Sequence, residues 1–248
     1  MTPGAPPVLA LRGVSKSYGA ARALVDVSLE IHAHEVVAVV GDNGAGKSTL
    51  VDVLTGAVPP DTGEVLVGGT PTTLASPGAA RAHGIAGVFQ DLALCSNLDV
   101  VENLFLGHEP TRGTLLDEVA MERQAWSLLD QLAVRVSSVR APVSSLSGAQ
   151  RQAVAIARSL LGAPRVLVLD EPTASLGISQ TAEFLTLVER LRSRGHGVLL
   201  TSHSLVDVRA VADRIVVLRL GRTNGEFDGA TASYEELLAA VTGVGVTR

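Results

Sequence analysis

The sequence predicts an α/β fold with a mainly parallel core sheet, an N-terminal antiparallel β-subdomain and an inserted α-helical subdomain. Three observations predict it. Continuous apolar runs such as EVVAVVG at 35–41 are typical of strands buried on both faces of a sheet. Such strands alternate with helix-like stretches, which favours parallel pairing. Between about 95 and 145 the strand-like runs disappear and apolar residues take helical spacing.

The antiparallel part is predicted from ALVDVSLEI at 23–31. Its apolar residues alternate with mostly polar ones, as in a strand with one buried face. We expect the buried residues to be Val25, Val27, Leu29 and Ile31. The runs EVLVGG at 64–69 and GIAGVFQ at 84–90 predict further strands.

The helical subdomain is placed at about 95–150, because EVAMERQAWSLLDQL at 118–132 carries Val119, Trp126, Leu129 and Leu132 mostly at helical spacing. After it, RVLVLD and HGVLLTSH predict two buried strands around a helix near 178–194. Two late strands and a helix at 234–241 follow. We expect one domain over 8–240, a disordered tail at 1–7 and a C-terminal tail at 241–248.

The composition describes a globular protein with 46% hydrophobic residues and a net charge of −5. An acidic chain does not favour DNA or RNA as partner. No run approaches the roughly 18 apolar residues of a membrane span, and the N-terminus does not resemble a secretory signal. We therefore expect a protein of the cytoplasm, compatible with a place beside a membrane partner.

The most specific motif is GDNGAGKS at 41–48, which matches G-x-x-x-x-G-K-[ST] between a predicted strand and a predicted helix. Glycines let the loop turn its backbone amides toward phosphate oxygens, and the helix N-terminus adds partial positive charge. Lys47 can reach the β- and γ-phosphates, and Ser48 can bind Mg²⁺. The motif therefore predicts a P-loop NTPase that binds the phosphates of a nucleotide, with Mg²⁺, through Gly41, Asn43, Gly44, Ala45, Gly46, Lys47, Ser48 and Thr49.

A pair of carboxylates follows the predicted strand RVLVLD. Asp170 stands at its carboxyl end, where ligands bind in open parallel sheets, and can hold the Mg²⁺ shell. Glu171 can position or deprotonate the attacking water. Alone, the pair could be a solvated turn before Pro172. Together with the phosphate loop, the functional interpretation is favoured.

A second glycine-bearing cluster, SSLSGAQRQ at 144–152, allows two interpretations that are compatible. Ser147 and Gln150 form a capping box at the start of a helix whose face carries Ala153, Ile156, Ala157 and Leu160. A serine hydroxyl, the Gly148 amide and a helix N-terminus also suit a γ-phosphate.

The order GDNGAGKST, Gln90, LSGAQ, VLVLDEP, His203 resembles the nucleotide-binding subunits of ABC transporters over about residues 8–240. In that family two ATPase domains pair head to tail, and each ATP lies between one phosphate loop and the other domain's signature loop. The resemblance implies that Ser147, Gly148 and Gln150 complete the nucleotide site of the opposite protomer.

The same resemblance implies roles for three more residues. Tyr18 would stack on adenine, although a strand-end aromatic packing on the sheet edge is a fair alternative. Gln90, ending the strand GIAGVFQ, would link metal and water to the helical subdomain. His203, ending GVLLTSH, would contact the γ-phosphate.

Two residues depart from the family pattern. Ala149 stands where most signatures have glycine, which costs nothing if the residue is helical. Gly177 stands where most relatives have aspartate, in a loop that crosses the dimer interface. Neither change affects Lys47, Asp170 or Glu171, so we expect an active ATPase.

The stretch QDLALCSNLDVVENLFLGHE at 90–109 resembles the sugar-importer branch that serves ribose, xylose, galactose or fructose, as do LDEVAMERQA at 116–125 and TASLG at 173–177. With one ATPase domain, the chain resembles the single-domain members of that branch. That resemblance implies a dimer of this chain, or a pair with a paralogous ATPase, beneath an integral membrane permease supplied by an extracytoplasmic sugar-binding protein. The segment after Gln90 would be the dock for the permease. Alternatives are an ABC subunit with another cargo, a non-transport ABC protein and a simple P-loop kinase.

Overall fold

The computed structural model describes residues 6–244. Its largest sheet has six strands in the order β12-β11-β3-β10-β9-β6, five of them parallel and β12 antiparallel at one edge. The parallel core that the sequence predicts is confirmed. The six strands are β3 (Val36–Val40), β6 (Ile85–Val88), β9 (Val166–Leu169), β10 (Gly197–Ser202), β11 (Arg214–Arg219) and β12 (Arg222–Asp228).

The antiparallel β-subdomain is a second sheet with four strands in the order β2-β1-β4-β5. Every neighbouring pair in it runs antiparallel, as the alternating pattern of the N-terminal segment predicts. Its strands are β1 (Leu9–Tyr18), β2 (Ala21–Ile31), β4 (Thr62–Val67) and β5 (Thr70–Pro71).

Eight α-helices occur in the described part of the chain. Helices α3 and α4 lie within the stretch 95–150 that the sequence predicts to be helical, whereas α5 starts at the end of that stretch, after a 3₁₀ turn at Val143–Ser145, and runs to Leu160. The helices are α1 (Lys47–Leu54), α2 (Pro77–Ala82), α3 (Val100–Phe105), α4 (Glu118–Gln131), α5 (Gly148–Leu160), α6 (Ile178–Ser193), α7 (Leu205–Val211) and α8 (Tyr234–Thr242).

The six-stranded sheet is covered on both faces. Along β3, Val36, Ala38 and Val40 pack with the helical side of the molecule. Val37 and Val39 pack with α1 and the β-subdomain. All five residues are buried, because period-two alternation gives each of two cores an apolar partner.

One register prediction is wrong in β2. Val25 is only partly buried, and Leu24 occupies the core position instead. The cause is an extra residue in β2: Val27 pairs with Val14 and Leu24 with Lys16, and Asp26 between them has φ 55°. Such a bulge changes which face the residues on its other side occupy, so those before Asp26 are shifted relative to Val27.

The helical region differs from the prediction in two details. On α4 the buried side chains include Met121, Ala125 and Leu129, whereas Val119 and Trp126 lie exposed on the neighbouring face. Strands do not disappear entirely, because a short hairpin pairs β7 (Thr111–Arg112) with β8 (Leu115–Leu116).

Helices α2 and α7 carry ordinary start signals that the sequence interpretation overlooked. Ser76 caps α2 and is followed by Pro77, and Ser204 caps α7. The expected tails at 1–7 and 241–248 fall largely outside the described residues, although residues 241 and 242 belong to α8. Within residues 6–244, no helix is long and apolar enough to span a membrane.

Candidate functional site

Four segments that the sequence singles out meet at one edge of the core sheet. Gly41, Gln90, Asp170 and His203 each come within two residues of the carboxyl end of β3, β6, β9 or β10. These four strands are parallel and neighbouring, so their carboxyl ends share an edge. This is the edge at which open parallel sheets bind ligands.

The phosphate loop requires glycine at two places of close approach. A Cβ at Gly41 would lie 2.3 Å from the carbonyl oxygen of Leu218. Gly46 has φ 109°, and a Cβ there would lie 2.5 Å from the carbonyl oxygen of Ala23. The loop is therefore packed against β11 and against β2, which carries Ala23 close to the β1–β2 turn.

Helix α1 begins directly after the loop with no side-chain cap at Gly46. The backbone amides of Lys47, Ser48 and Thr49 donate no hydrogen bond to any described residue, and α1 is eight residues long. Asn43, Gly44 and Ala45 complete the turn before it. An open helix N-terminus of this kind favours an anion.

Lys47 is almost completely buried, with 6% exposure. Its ammonium donates to the carbonyl oxygen of Gly41 at 2.7 Å and to that of Asp42 at 3.3 Å. It also lies 3.7 Å from Glu171 Oε1. The lysine therefore joins the phosphate loop to the segment that follows β9.

The carboxylate pair is held by a residue that the sequence interpretation missed. Thr201, fully buried on β10, donates its hydroxyl hydrogen to Asp170 Oδ1 at 2.7 Å. The same hydroxyl accepts the backbone N–H of Glu171 at 2.9 Å. A threonine inside the apolar run GVLLTS was the available signal, because a buried hydroxyl needs partners.

Glu171 has a strained backbone, and its carboxylate lies between the side chains of Lys47 and His203. Its φ is 44°, a value that non-glycine residues rarely adopt. Its second carboxylate oxygen, Oε2, lies 3.5 Å from His203 Nδ1. His203 is exposed at 60%, so its ring is open to a ligand at this edge.

Gln90 lies farther from its strand than the sequence suggests. Strand β6 ends at Val88, so Gln90 does not end the strand but lies exposed two residues beyond it. The backbone N–H of Asp170 donates to the Val88 carbonyl at 2.9 Å. The segment that carries Gln90 therefore leaves the sheet next to Asp170.

The aromatic side chain of Tyr18 is half exposed at the end of β1. The Lys16 ammonium lies 5.8 Å from its ring centroid and 2.8 Å from Asp61 Oδ1. Packing against the sheet edge, the alternative role, therefore covers only about half of the Tyr18 side chain and leaves the rest open to a ligand.

The capping box of α5 is present. Gln150 N donates to Ser147 Oγ at 3.2 Å, and Ser147 N donates to Gln150 Oε1 at 2.9 Å. Ala149 is helical, so its methyl group has no backbone cost. Within residues 6–244 no hydrogen bond or ion pair joins Ser147, Gly148 or Gln150 to the phosphate loop.

Gly148 has a packing reason inside its own chain. A Cβ there would lie 2.6 Å from Gln180 Oε1 and 2.7 Å from Leu176 Cδ2. The start of α5 therefore packs closely against the segment 176–180 that leads into α6.

Two charged groups near the site have shifted pKa values. Burial, and then the charge of Asp170, raises the pKa of Asp52 on α1. Burial, and then the charge of Arg81, lowers the pKa of Arg158 on α5. Arg158 donates to the carbonyl oxygens of Leu92 at 2.6 Å and Ala93 at 2.8 Å, so it joins α5 to the segment after Gln90.

Comparison with known proteins identifies the family. The model of the ABC transporter family matches residues 24–174. The xylose/arabinose import ATP-binding protein of Sulfolobus acidocaldarius is 40% identical over 95% of this chain and 94% of its own. The fructose import ATP-binding protein of Rhizobium meliloti is 39% identical over 96% and 94%. A ribose import ATP-binding protein of Rubrobacter xylanophilus is 41% identical, and the match spans 47% of its length.

Solved structures agree with this assignment. The ADP conformation of an ATP-binding cassette of an ABC transporter aligns with a TM-score of 0.82 and 26% identity over 95% of each chain. A dimeric bacterial ABC transporter cassette aligns with a TM-score of 0.75 and 27% identity, covering 90% of this chain and all of that one. The chain therefore belongs to the ABC transporter family and has the ATP-binding cassette fold of its ATPase subunits.

Proposed function

We propose that this chain is the ATP-hydrolysing subunit of a membrane importer for a simple sugar. The carrying observation is the chain of contacts from the phosphate loop through Lys47 and Glu171 to His203, at the ligand-binding edge of the sheet. Relatives named for xylose/arabinose, fructose and ribose import, two of them matched over nearly their whole length, support the cargo class. Residues 8–240 would act as one ATPase unit.

ATP would bind with its phosphates in the loop from Gly41 to Thr49. The free amides at the start of α1 would donate to phosphate oxygens, and these oxygens would replace the carbonyl groups that Lys47 now contacts. Tyr18 would stack on the adenine, since the β1–β2 hairpin packs beside the loop through Ala23.

The donor set at the sheet edge suits Mg²⁺. This ion prefers hard oxygen ligands and needs only one or two carboxylates beside the phosphates. Asp170 Oδ2 and the Ser48 hydroxyl have no hydrogen-bond partner among residues 6–244, and Gln90 offers an amide oxygen. Asp170, Ser48 and Gln90 would hold the ion, which would neutralise charge on the β- and γ-phosphates.

Glu171 would accept the proton of the attacking water. Its strained backbone is held by Thr201, and its carboxylate lies between Lys47 and His203. Once Lys47 contacts phosphate, the Glu171 carboxylate loses part of its cationic partner and becomes available as a base. His203 would donate to the γ-phosphate from the other side.

Two copies of the chain would enclose ATP between them. Ser147, Gly148 and Gln150 of one copy would meet the γ-phosphate bound by the other, while their capping box keeps the α5 N-terminus ordered. Dimeric cassettes among the structural relatives support the pairing. A paralogous ATPase could occupy the second position in the same way.

A groove of about 700 Å³ beside the segment after Gln90 would receive the cytoplasmic part of the permease. Its walls include Phe89, Leu92, Leu106 and Leu161, which offer an apolar surface. Arg158 joins that segment to α5, so movement of a docked permease element would displace α5 and the residues Ser147 to Gln150 at its start. In this proposal the chain would act at the cytoplasmic face of the membrane, bound to the permease.

The test is affinity purification of the tagged chain from native membranes with mass spectrometry of its partners. A polytopic permease together with a secreted sugar-binding protein is the expected result. A permease accompanied by an amino-acid-binding protein, or by none, would leave the ATPase standing and change the cargo. Ribosomal or DNA-repair partners would overturn the transport proposal.

A further inference from the structure

A buried amide on α5 contacts the segment that follows the carboxylate pair. Gln152 is 4% exposed and lies among Ala153, Ile156 and other apolar residues of the buried face. Its Nε2 donates to the backbone carbonyl oxygen of Pro172 at 2.8 Å. Helix α5 is therefore joined by one side-chain hydrogen bond to the residue after Glu171.

The other end of this amide has no such partner. Gln152 Oε1 is buried and accepts no hydrogen bond from any residue in 6–244. The amide cannot be turned round, because the Pro172 carbonyl accepts only and must face the NH₂ group. A buried acceptor without a partner is unfavourable, and a methionine or leucine would avoid it. Only the NH₂ group of Gln152 therefore contributes a favourable contact, the hydrogen bond to the Pro172 carbonyl.

That donor acts beside the strained residue of the site. Glu171 has φ 44°, and its N–H is fixed by the Thr201 hydroxyl at 2.9 Å. On the C-terminal side of Glu171, the carbonyl oxygen of Pro172 accepts a hydrogen bond from Gln152. Backbone strain persists only where the surroundings hold it on both sides. The two hydrogen bonds provide such a clamp around Glu171.

We propose that Gln152 is a positioning residue for Glu171. Through its hydrogen bond to Pro172, a displacement of helix α5 would move the Glu171 carboxylate. Ser147, the N-cap of α5, stands about one and a half turns before Gln152 on the same helix. A displacement of this helix start, as when the opposite protomer's nucleotide is bound, therefore shifts the Pro172 carbonyl and with it Glu171. This inference rests on the proposed role of Glu171 as base.

The decisive variant is Gln152→Met, which keeps side-chain length and removes both polar atoms. Turnover of ATP by the purified chain should fall about 10- to 100-fold, the loss typical of a misplaced catalytic group. The Kd for ATP should stay within twofold, because no phosphate-loop contact changes. The melting temperature should change little, since the substitution removes the unpaired Oε1 but also leaves the buried Pro172 carbonyl without its donor. A purely structural role predicts the opposite combination, with lower stability and proportionate loss of ATP binding.

Two further measurements separate the possible failures. In a Glu171→Gln background, Gln152→Met should cause no additional loss of turnover, because the group it positions is already absent. Thr242→Val on α8, which removes side-chain hydrogen bonds to the carbonyl oxygens of Leu238 and Ala239 and changes no contact of Glu171, serves as the control with unchanged turnover. If Gln152→Met keeps full turnover while Glu171→Gln loses it, the role of Gln152 is refuted and the role of Glu171 as base stands. Full turnover in Glu171→Gln would overturn the proposed base.

Discussion

The ammonium of Lys47 lies 3.7 Å from the carboxylate of Glu171, across the gap between the phosphate loop and the segment after β9. The contact joins the group proposed to bind phosphate with the group proposed to activate water. Each is charged and mostly buried, with side-chain exposures of 6% and 22%. Phosphate and carboxylate would therefore compete for the same cation.

Glu171→Gln tests the second half of this relationship. The amide keeps the shape but cannot accept a proton, so turnover should fall about 10²- to 10⁴-fold. Affinity for ATP should be unchanged or higher, because Lys47 no longer has a competing anion. Phosphate release and the Kd for ATP, measured on the same preparation, check both expectations. Undiminished turnover would refute the assignment.

The variant Ser147→Asp separates the two roles of the segment SSLSGAQRQ, namely helix capping and binding of the opposite protomer's γ-phosphate. Aspartate caps a helix as well as serine, so the melting temperature should be kept, whereas Ser147→Ala should cost about 1 kcal/mol of stability. The added negative charge would repel a γ-phosphate from the opposite protomer. ATP-dependent dimerisation, measured by light scattering, should therefore be lost in Ser147→Asp and retained in part in Ser147→Ala. Intact dimerisation of the aspartate variant would leave only the capping role.

Tyr18→Ala tests the proposed stacking on adenine. Base–aromatic stacking contributes about 1–3 kcal/mol by alanine substitution, so the Kd for ATP should rise roughly 5- to 150-fold. Binding of inorganic tripolyphosphate, which has no base, should not change. Equal weakening of both ligands would indicate that Tyr18 supports the loop and does not contact the base.

Gly177→Asp should stabilise the chain. Gly177 is the N-cap of α6 with φ −75° and ψ 166°, provides no side-chain cap, and a Cβ there would meet no atom within 4 Å. Replacing a glycine cap by aspartate adds a hydrogen bond to the first turn, with a gain of a few tenths of a kcal/mol. A small rise in melting temperature is expected, and a lower value would contradict the capping argument.

Asp52→Asn should raise stability at neutral pH. The pKa of Asp52 is raised above its ordinary value by burial and by Asp170, so its ionised form is less favourable in the folded chain. The gain should be complete above the raised pKa. It should disappear as pH falls through that value and below 3.8, where the carboxyl is protonated in both folded and unfolded chains. Chemical denaturation of both proteins across this pH range checks the sign.

Much of the fold follows from local patterns. The run VVAVV at β3 is buried on both faces, and the capping box at Ser147 and Gln150 forms as its residue types predict. The prediction of which side chains are buried was wrong where the pattern alone did not determine the face, in β2 and α4. The bulge at Asp26 exchanges Leu24 for Val25, and on α4 the packing partners select Met121 and Ala125 over Trp126. An alternating or helical pattern allows more than one face, and only contact with a neighbour chooses between them.

The sequence by itself determined the phosphate loop, the carboxylate pair and the family, because their chemistry requires fixed residue types at short fixed spacing. Tertiary structure alone decided what surrounds them. Thr201 reaches Asp170 and Glu171 because β10 pairs in parallel with β9, and Gln152 reaches Pro172 because α5 packs beside that strand end. These partners are 20 to 31 positions apart. Residues so distant along the chain have no spacing rule, since only the pairing of strands and the packing of helices bring them within hydrogen-bonding distance.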